Sequence, residues 1–152
     1  MKPRRWFQHS GDEQGSSLVE IALLTPVLLL VMLAVIDFGR AYYLAMEVAG
    51  AAHAGAEYAI QNPTDATGIK VAAINDAPNV PNLSVTTPTY GCECSDGTLY
   101  SANCSSTPTC TTNYVYRIDV KTSAAYKPLF PWPGIPSNLS LSSSASMRSG
   151  GN

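Results

Sequence analysis

From Leu18 to Ile36 the chain is an apolar run of 19 residues, interrupted only by Glu20, Thr25 and Pro26. A helix rising about 1.5 Å per residue covers about 28 Å over this run, close to the thickness of a bilayer's hydrocarbon core. Beyond Asp37 the pattern changes. Phe38, Tyr42, Ala45, Ala49, Ala52 and Ala56 recur at the three-to-four spacing of one helical stripe, so the helix is expected to continue past the membrane. Asn62-Pro63 closes it, because the residue before a proline disfavours helical geometry. The predicted helix therefore covers 16–61, its membrane part 18–36. Ser16 or Ser17 stands at its start, and Glu20 in the first turn, where the helix dipole favours negative charge. Ala41, Ala45 and Ala49 form two small-xxx-small steps. Such a surface admits another helix closely, and it serves equally well as a seat for the protein's own globular part. Both readings stand.

Residues 62–81 read as a short helix and linker. Thr64 or Asp65 can cap a helix over 65–77 with Ile69, Ala72 and Ala73 on one side, and Pro78 and Pro81 stop it. From about Asn82 the period becomes two. Leu83, Val85 and Thr87 alternate with polar neighbours, as do Tyr114, Tyr116, Ile118 and Val120, and then Leu139, Leu141, Ala145 and Met147. Each is the signature of a strand with one wet face. Residues 82–149 are thus expected to form an extracytoplasmic antiparallel β region, most economically a meander. So small a sheet needs another apolar wall, and the outer half of the long helix supplies it. The fold class is α+β: a long membrane-spanning helix followed by a small antiparallel sheet head.

Between the last two strands, residues 126–136 carry four prolines, Pro128, Pro131, Pro133 and Pro136, with Phe130 and Trp132 among them. Helix and central strand are excluded there. The loop either lays its aromatics over the sheet edge, the favoured reading, or presents them as a contact surface.

Charge sets the orientation. Only 13% of residues are charged, with a formal net charge of −2. That balance gives no basic surface for nucleic acid. Lys2, Arg4 and Arg5 precede the apolar run, whereas Asp37 and Arg40 cancel after it. The N-terminus is therefore expected in the cytoplasm and the head outside. A cleaved secretory signal is the rival, but its apolar core runs 7–15 residues with a small-x-small site close behind, and here Ala49-Gly50-Ala51 lies far downstream.

All four cysteines, Cys92, Cys94, Cys104 and Cys110, fall on the expected outside, where disulfides form. Cys92 and Cys94 stand two apart on an extended chain, too far for an easy mutual bridge. Two connectivities remain: nested (Cys92–Cys110, Cys94–Cys104) and crossed (Cys92–Cys104, Cys94–Cys110). Nesting suits a hairpin with arms around Tyr90 and Tyr114 and is favoured. Zinc would need paired C-x2-4-C halves, which this spacing lacks. His9 and His53 are the only histidines, and no nucleophile-base, metalloprotease or phosphate-loop motif is present. Asn82, Asn103 and Asn138 begin N-x-S triplets, as expected by chance in so Ser/Asn-rich a chain. No enzyme, cofactor, metal site or small-molecule substrate is expected.

The remaining anomaly is Glu20. A carboxylate in a membrane segment costs up to about 2.5–3.5 kcal/mol at the helix centre and less near its ends, so something must offset it. Gly15 stands five residues before it, behind a short basic leader. This arrangement resembles the class III signal sequences of type IV pilin-like proteins. The resemblance implies removal of residues 1–15 by a prepilin peptidase acting between Gly15 and Ser16. It also implies pairing of Glu20 with the new ammonium at Ser16 of a neighbouring subunit, which would satisfy both ions where water is scarce. The run Glu20-Ile21-Ala22-Leu23-Leu24-Thr25-Pro26-Val27-Leu28-Leu29, with Asp37-Phe38-Gly39-Arg40 after it, resembles the TadE-like family of tight-adherence pilus pseudopilins over roughly residues 15–60. Ile21 departs from the family, in which an aromatic is frequent at that position.

The family implies a minor subunit of a Tad-type pilus or secretion system, anchored in the bacterial inner membrane with its head periplasmic or extracellular. It acts in assembly, adhesion or secretion, with other pseudopilins or pilins and the assembly platform as partners. Pro26 leaves the carbonyl of Ala22 without its helical partner and marks a kink that Thr25 or a neighbouring helix can relieve. The competing functions are an unprocessed single-pass anchor with an adhesive or ligand-binding head, and a periplasmic metal or redox module using the four cysteines.

Overall fold

The computed structural model describes residues 13–111 and 113–150. The leader reading falls mostly on residues 1–12, outside this range. Helix α1 is Glu13–Gln61 and runs through Pro26. It begins three residues before the expected Ser16, since Glu and Gln are good helix formers and extend the first turn. It ends where expected, directly before Asn62-Pro63. Two compact units meet in sequence between Phe38 and Gly39.

The first unit contains the apolar part of α1. Its large side chains, Leu18 through Ile36, are exposed, as befits a surface whose solvent is lipid. The helix over Ser17–Gln61 is long and apolar enough to cross a membrane.

The second unit is the head. Helix α2, Ala66–Asp76, is capped by Asp65, whose Oδ1 accepts from the Gly68 N–H at 2.9 Å. Five strands follow: β1 Ser84–Val85, β2 Thr89–Cys94, β3 Tyr100–Ala102, β4 Tyr114–Tyr126 and β5 Leu139–Gly150. All pairings are antiparallel, with β4 at the centre. Strand β5 lies along the whole of β4, from Val115↔Gly150 to Tyr126↔Leu139. On the other edge β2 pairs with the first half of β4 and β1 with the second. Pro88, which cannot donate to the ladder, lies in the gap between β1 and β2. Among the described residues strand β3 pairs only with β2.

The sheet is not a meander. After the β2–β3 hairpin the chain returns across to pair with β2 from its other side. The extra strand β3 escaped the alternation pattern because three residues are too few to show a period.

Core packing follows from helix spacing. Val48, Ala51, Ala52, Gly55, Ala56 and Ala59 form the buried face of α1 in the head. They meet Ile69, Ala73 and Ala77, and the inward residues Ile118, Val120, Ala124 and Ala145. From Val48 to Ala59 the helix is thus a seat for the protein's own head, whereas Ala41, Ala45 and Ala49 are half-buried and lie in neither core cluster. The buried face is rotated from the expected stripe, leaving Tyr42 and Phe38 exposed. Gly55 lies where α1, α2 and β4 converge: a Cβ there would stand 3.2 Å from both Ala73 Cβ and Val120 Cγ1. Thr122, in a position otherwise apolar, is satisfied by donating to the Val48 carbonyl at 2.7 Å.

Candidate functional site

Four groups of residues carry candidate chemistry: the start of α1, the exit of its apolar run, the stapled end of the sheet, and a charge cluster on the sheet's other face. Gly15 and Ser16 lie at the start of α1, and Glu20 is exposed. Ser16 and Glu20 are four residues apart, one turn along one face. Removal of the chain up to Gly15 would therefore create a positive N-terminus one turn from the carboxylate, on this helix or beside a neighbouring one.

Near Pro26 the Thr25 hydroxyl donates to the Ile21 carbonyl at 2.7 Å. This is the acceptor one residue before the one that Pro26 leaves unpaired, so Thr25 reinforces the preceding turn and Ala22 is left to other donors. Along the Asp37–Arg40 segment, Asp37 is buried and Phe38 exposed, while the Arg40 guanidinium lies 5.9 Å from the centre of the Tyr126 ring. That distance is within cation–π reach.

At the far end of the head, the bridges are Cys92–Cys104 and Cys94–Cys110, with Cα–Cα distances of 5.0 and 5.5 Å. The crossed connectivity replaces the favoured nested one, and the register explains why. Cys92 pairs across β3 with Ser101, and the chain then reverses through Asn103 and Cys104, both in the left-handed region, which brings Cys104 back to Cys92. Cys94 stands opposite Tyr114, the first residue of β4, so the approaching Cys110 reaches it and not Cys92. The nested expectation assumed a single hairpin and had no β3 in it. Tyr90, Tyr116 and Tyr114 continue the same face as an aromatic ladder, with centroids 5.7 and 5.8 Å apart.

The opposite face of the sheet holds a charge cluster that the sequence reading overlooked. Glu93 is only 6% exposed; its Oε1 accepts from Arg148 Nη2 at 2.9 Å, and its Oε2 lies 3.6 Å from Arg117 Nη1. Arg117 also meets Asp119 at 3.3 Å. Asp119 first, and Glu93 after it, hold the Arg117 guanidinium above its ordinary pKa. The signal was present: a Glu between two cysteines points opposite to both, as do Arg117 and Arg148 on their alternating strands. Beside it, Thr86, Lys121, Ser123, Ser142 and Ser144 line a shallow polar groove of about 410 Å³. Its hydroxyls can hydrogen-bond a polar surface, but no nucleophile-base pair converges there.

The family model for TadE-like proteins matches residues 15–57. The chain contains a TadE-like domain. That domain opens on Gly15 and closes within α1, taking in Glu20, Pro26 and Asp37–Arg40. No curated protein and no solved structure matches the chain. The strands and cysteines of the head therefore lie beyond the TadE-like match, and their roles rest on their own geometry. Among the described residues no group of three or more His, Cys, Asp or Glu side chains could hold a metal ion. Both cysteine pairs are oxidised, which leaves them no thiolate to offer one.

Proposed function

We propose that the protein is a membrane-anchored minor pseudopilin of a Tad-type pilus or secretion system, a structural subunit and not an enzyme. A prepilin peptidase cuts between Gly15 and Ser16 on the cytoplasmic side of the inner membrane. The apolar part of α1 spans that membrane with the N-terminus inside, and the stapled head stands in the periplasm or beyond. Glu20 then pairs with the Ser16 ammonium of an adjacent subunit, which fixes the axial register of neighbouring helices. The assembly platform and other pseudopilins or pilins are its partners.

One observation carries this reading. The TadE-like match begins on Gly15, and the first acidic residue after it, Glu20, lies exposed in a helix apolar enough to cross a membrane. An anchor needs no such carboxylate; a processed subunit uses it. The test is the intact mass of the protein extracted from membranes of cells with an active prepilin peptidase. The expected mass corresponds to Ser16–Asn152, and retention of residues 1–15 overturns the reading. Glu20→Ala separates it from the unprocessed-anchor alternative: assembly is expected to fail while protein level and head folding hold.

A further inference from the structure

Strand β4 descends α1 in a fixed order. Ser149, opposite Tyr116, donates from its hydroxyl to the Ile60 carbonyl at 3.0 Å. Thr122 donates to the Val48 carbonyl, and Tyr126 lies under Arg40. As β4 numbers rise, the α1 numbers they meet fall. The loop leaving Tyr126 therefore begins at the level of Arg40. Arg40 is four residues beyond Ile36, the end of the apolar run, and even a fully extended chain of that length reaches only about 14 Å.

This loop is unusual for a surface in water. Leu129 is 65% exposed and Phe130 46%, with Trp132 edge-on to Phe130 at 5.4 Å between centroids. Trp132 is half-buried, whereas Phe130 keeps close to half of its surface open. The loop's four prolines lack an N–H, so the segment brings fewer backbone donors that would need partners away from water. Lys127 at its start is exposed, as is Arg40. Apolar and aromatic tips flanked by cations are the composition that settles at the headgroup level of a bilayer.

We propose that the loop between β4 and β5 inserts Leu129, Phe130 and Trp132 into the outer headgroup layer of the membrane that α1 spans, with Lys127 and Arg40 meeting lipid phosphates. The head is thereby held against the bilayer until the subunit is withdrawn. The inference rests on the membrane span of the proposed function. A lipid surface is favoured over a protein partner because the loop begins beside Arg40, four residues past the apolar run in the chain, and is flanked by the cations Lys127 and Arg40.

The test uses the full chain in vesicles of phosphatidylethanolamine and phosphatidylglycerol brominated on the acyl chains near the headgroup. Trp6→Phe leaves Trp132 as the sole tryptophan. Its emission is expected to be blue-shifted and quenched by the brominated lipid, and Leu129→Ser with Phe130→Ser should relieve the quenching while the bridges and melting temperature hold. Quenching that persists unchanged in that double variant means the tether alone keeps Trp132 near lipid, and overturns the proposal. A companion chain, Trp6→Phe, Trp132→Phe and Leu30→Trp, reports on the span by itself. Quenching there but not at Trp132 overturns the loop inference alone; quenching at neither overturns the span and the loop together. Trp132 that is unquenched in vesicles but shielded from iodide in assembled filaments identifies a protein partner and likewise overturns the lipid assignment.

Discussion

Glu93 shows how unequal the two sides of an ion pair can be. Its carboxylate is buried, whereas the side chains of Arg117 and Arg148 are 37% and 50% exposed. Removing the acid frees two arginines that can turn to water, so Glu93→Ala should cost about 1 kcal/mol, the net value of an ordinary hydrogen bond. Removing Arg148 leaves the buried carboxylate with only Arg117, which is shared with Asp119. Arg148→Ala should therefore cost more, about 3 kcal/mol, at the low end for a buried charge left uncompensated because Arg148 is itself half in water. Urea unfolding of the detergent-solubilised chain, followed by tyrosine signals from the head, ranks the two. If Glu93→Ala proves the more damaging, the carboxylate is not the desolvated partner and this account of the cluster is wrong.

At the scale of elements, Gly55 and Asp65 fix how the two helices meet. A glycine inside a helix costs about 1 kcal/mol relative to alanine, so its presence at 55 needs a reason. The reason is contact: a Cβ there would stand 3.2 Å from Ala73 Cβ and Val120 Cγ1 and 3.3 Å from the Ile69 carbonyl, so those neighbours would have to give way by a few tenths of an ångström. Gly55→Val should destabilise the head by about 1–3 kcal/mol through overpacking, read in the same unfolding experiment. Gly39 serves as the contrast, since a Cβ there meets nothing within 4 Å. Gly39→Ala should leave head stability unchanged or raise it.

Asp65 caps α2 and also accepts from the Tyr58 hydroxyl at 3.0 Å. The Gly68 N–H first, and that hydroxyl second, hold its carboxyl below its ordinary pKa, while the same bond raises that of Tyr58. The folded protein thus binds this proton less tightly than the unfolded chain does. The contribution is complete above about pH 4 and is lost as the pH falls through the lower folded value. Asp65→Asn keeps a good cap and should flatten this part of the acid limb of a pH–melting curve. Helices, caps and the long alternating strands were legible because each repeats a local period. Strand β3, the return of β4 beside β2 and the rotation of the buried face of α1 were not. They depend on which surfaces meet across long stretches of chain, and small residues such as Ala45, Ala52 and Gly55 look alike on either side of a helix.

For the head as a whole, the core is unusually light, with alanines at 51, 52, 56, 59, 73, 77, 124 and 145 among its buried residues. Alanine burial removes little apolar area, so cross-links carry more of the stability than in a Leu-rich domain. Each bridge should contribute about 2–4 kcal/mol, against a typical total of about 5–15 kcal/mol for a domain. The sequence separations, 12 for Cys92–Cys104 and 16 for Cys94–Cys110, differ too little for loop entropy to distinguish them by more than about 0.3 kcal/mol. What distinguishes them is attachment. Cys92–Cys104 pins β3, whose one strand partner among the described residues is β2, whereas Cys94–Cys110 ties β2 to the entry of β4. Peptide mapping without reduction should recover Cys92 joined to Cys104. Upon reduction, amide exchange should accelerate over β2 and β3 first, while Ile118–Tyr126, paired along their length to β5 and packed on α1 and α2, stay protected. Equal acceleration in β4 and β5 would mean that the bridges hold the whole sheet together and not only its stapled end.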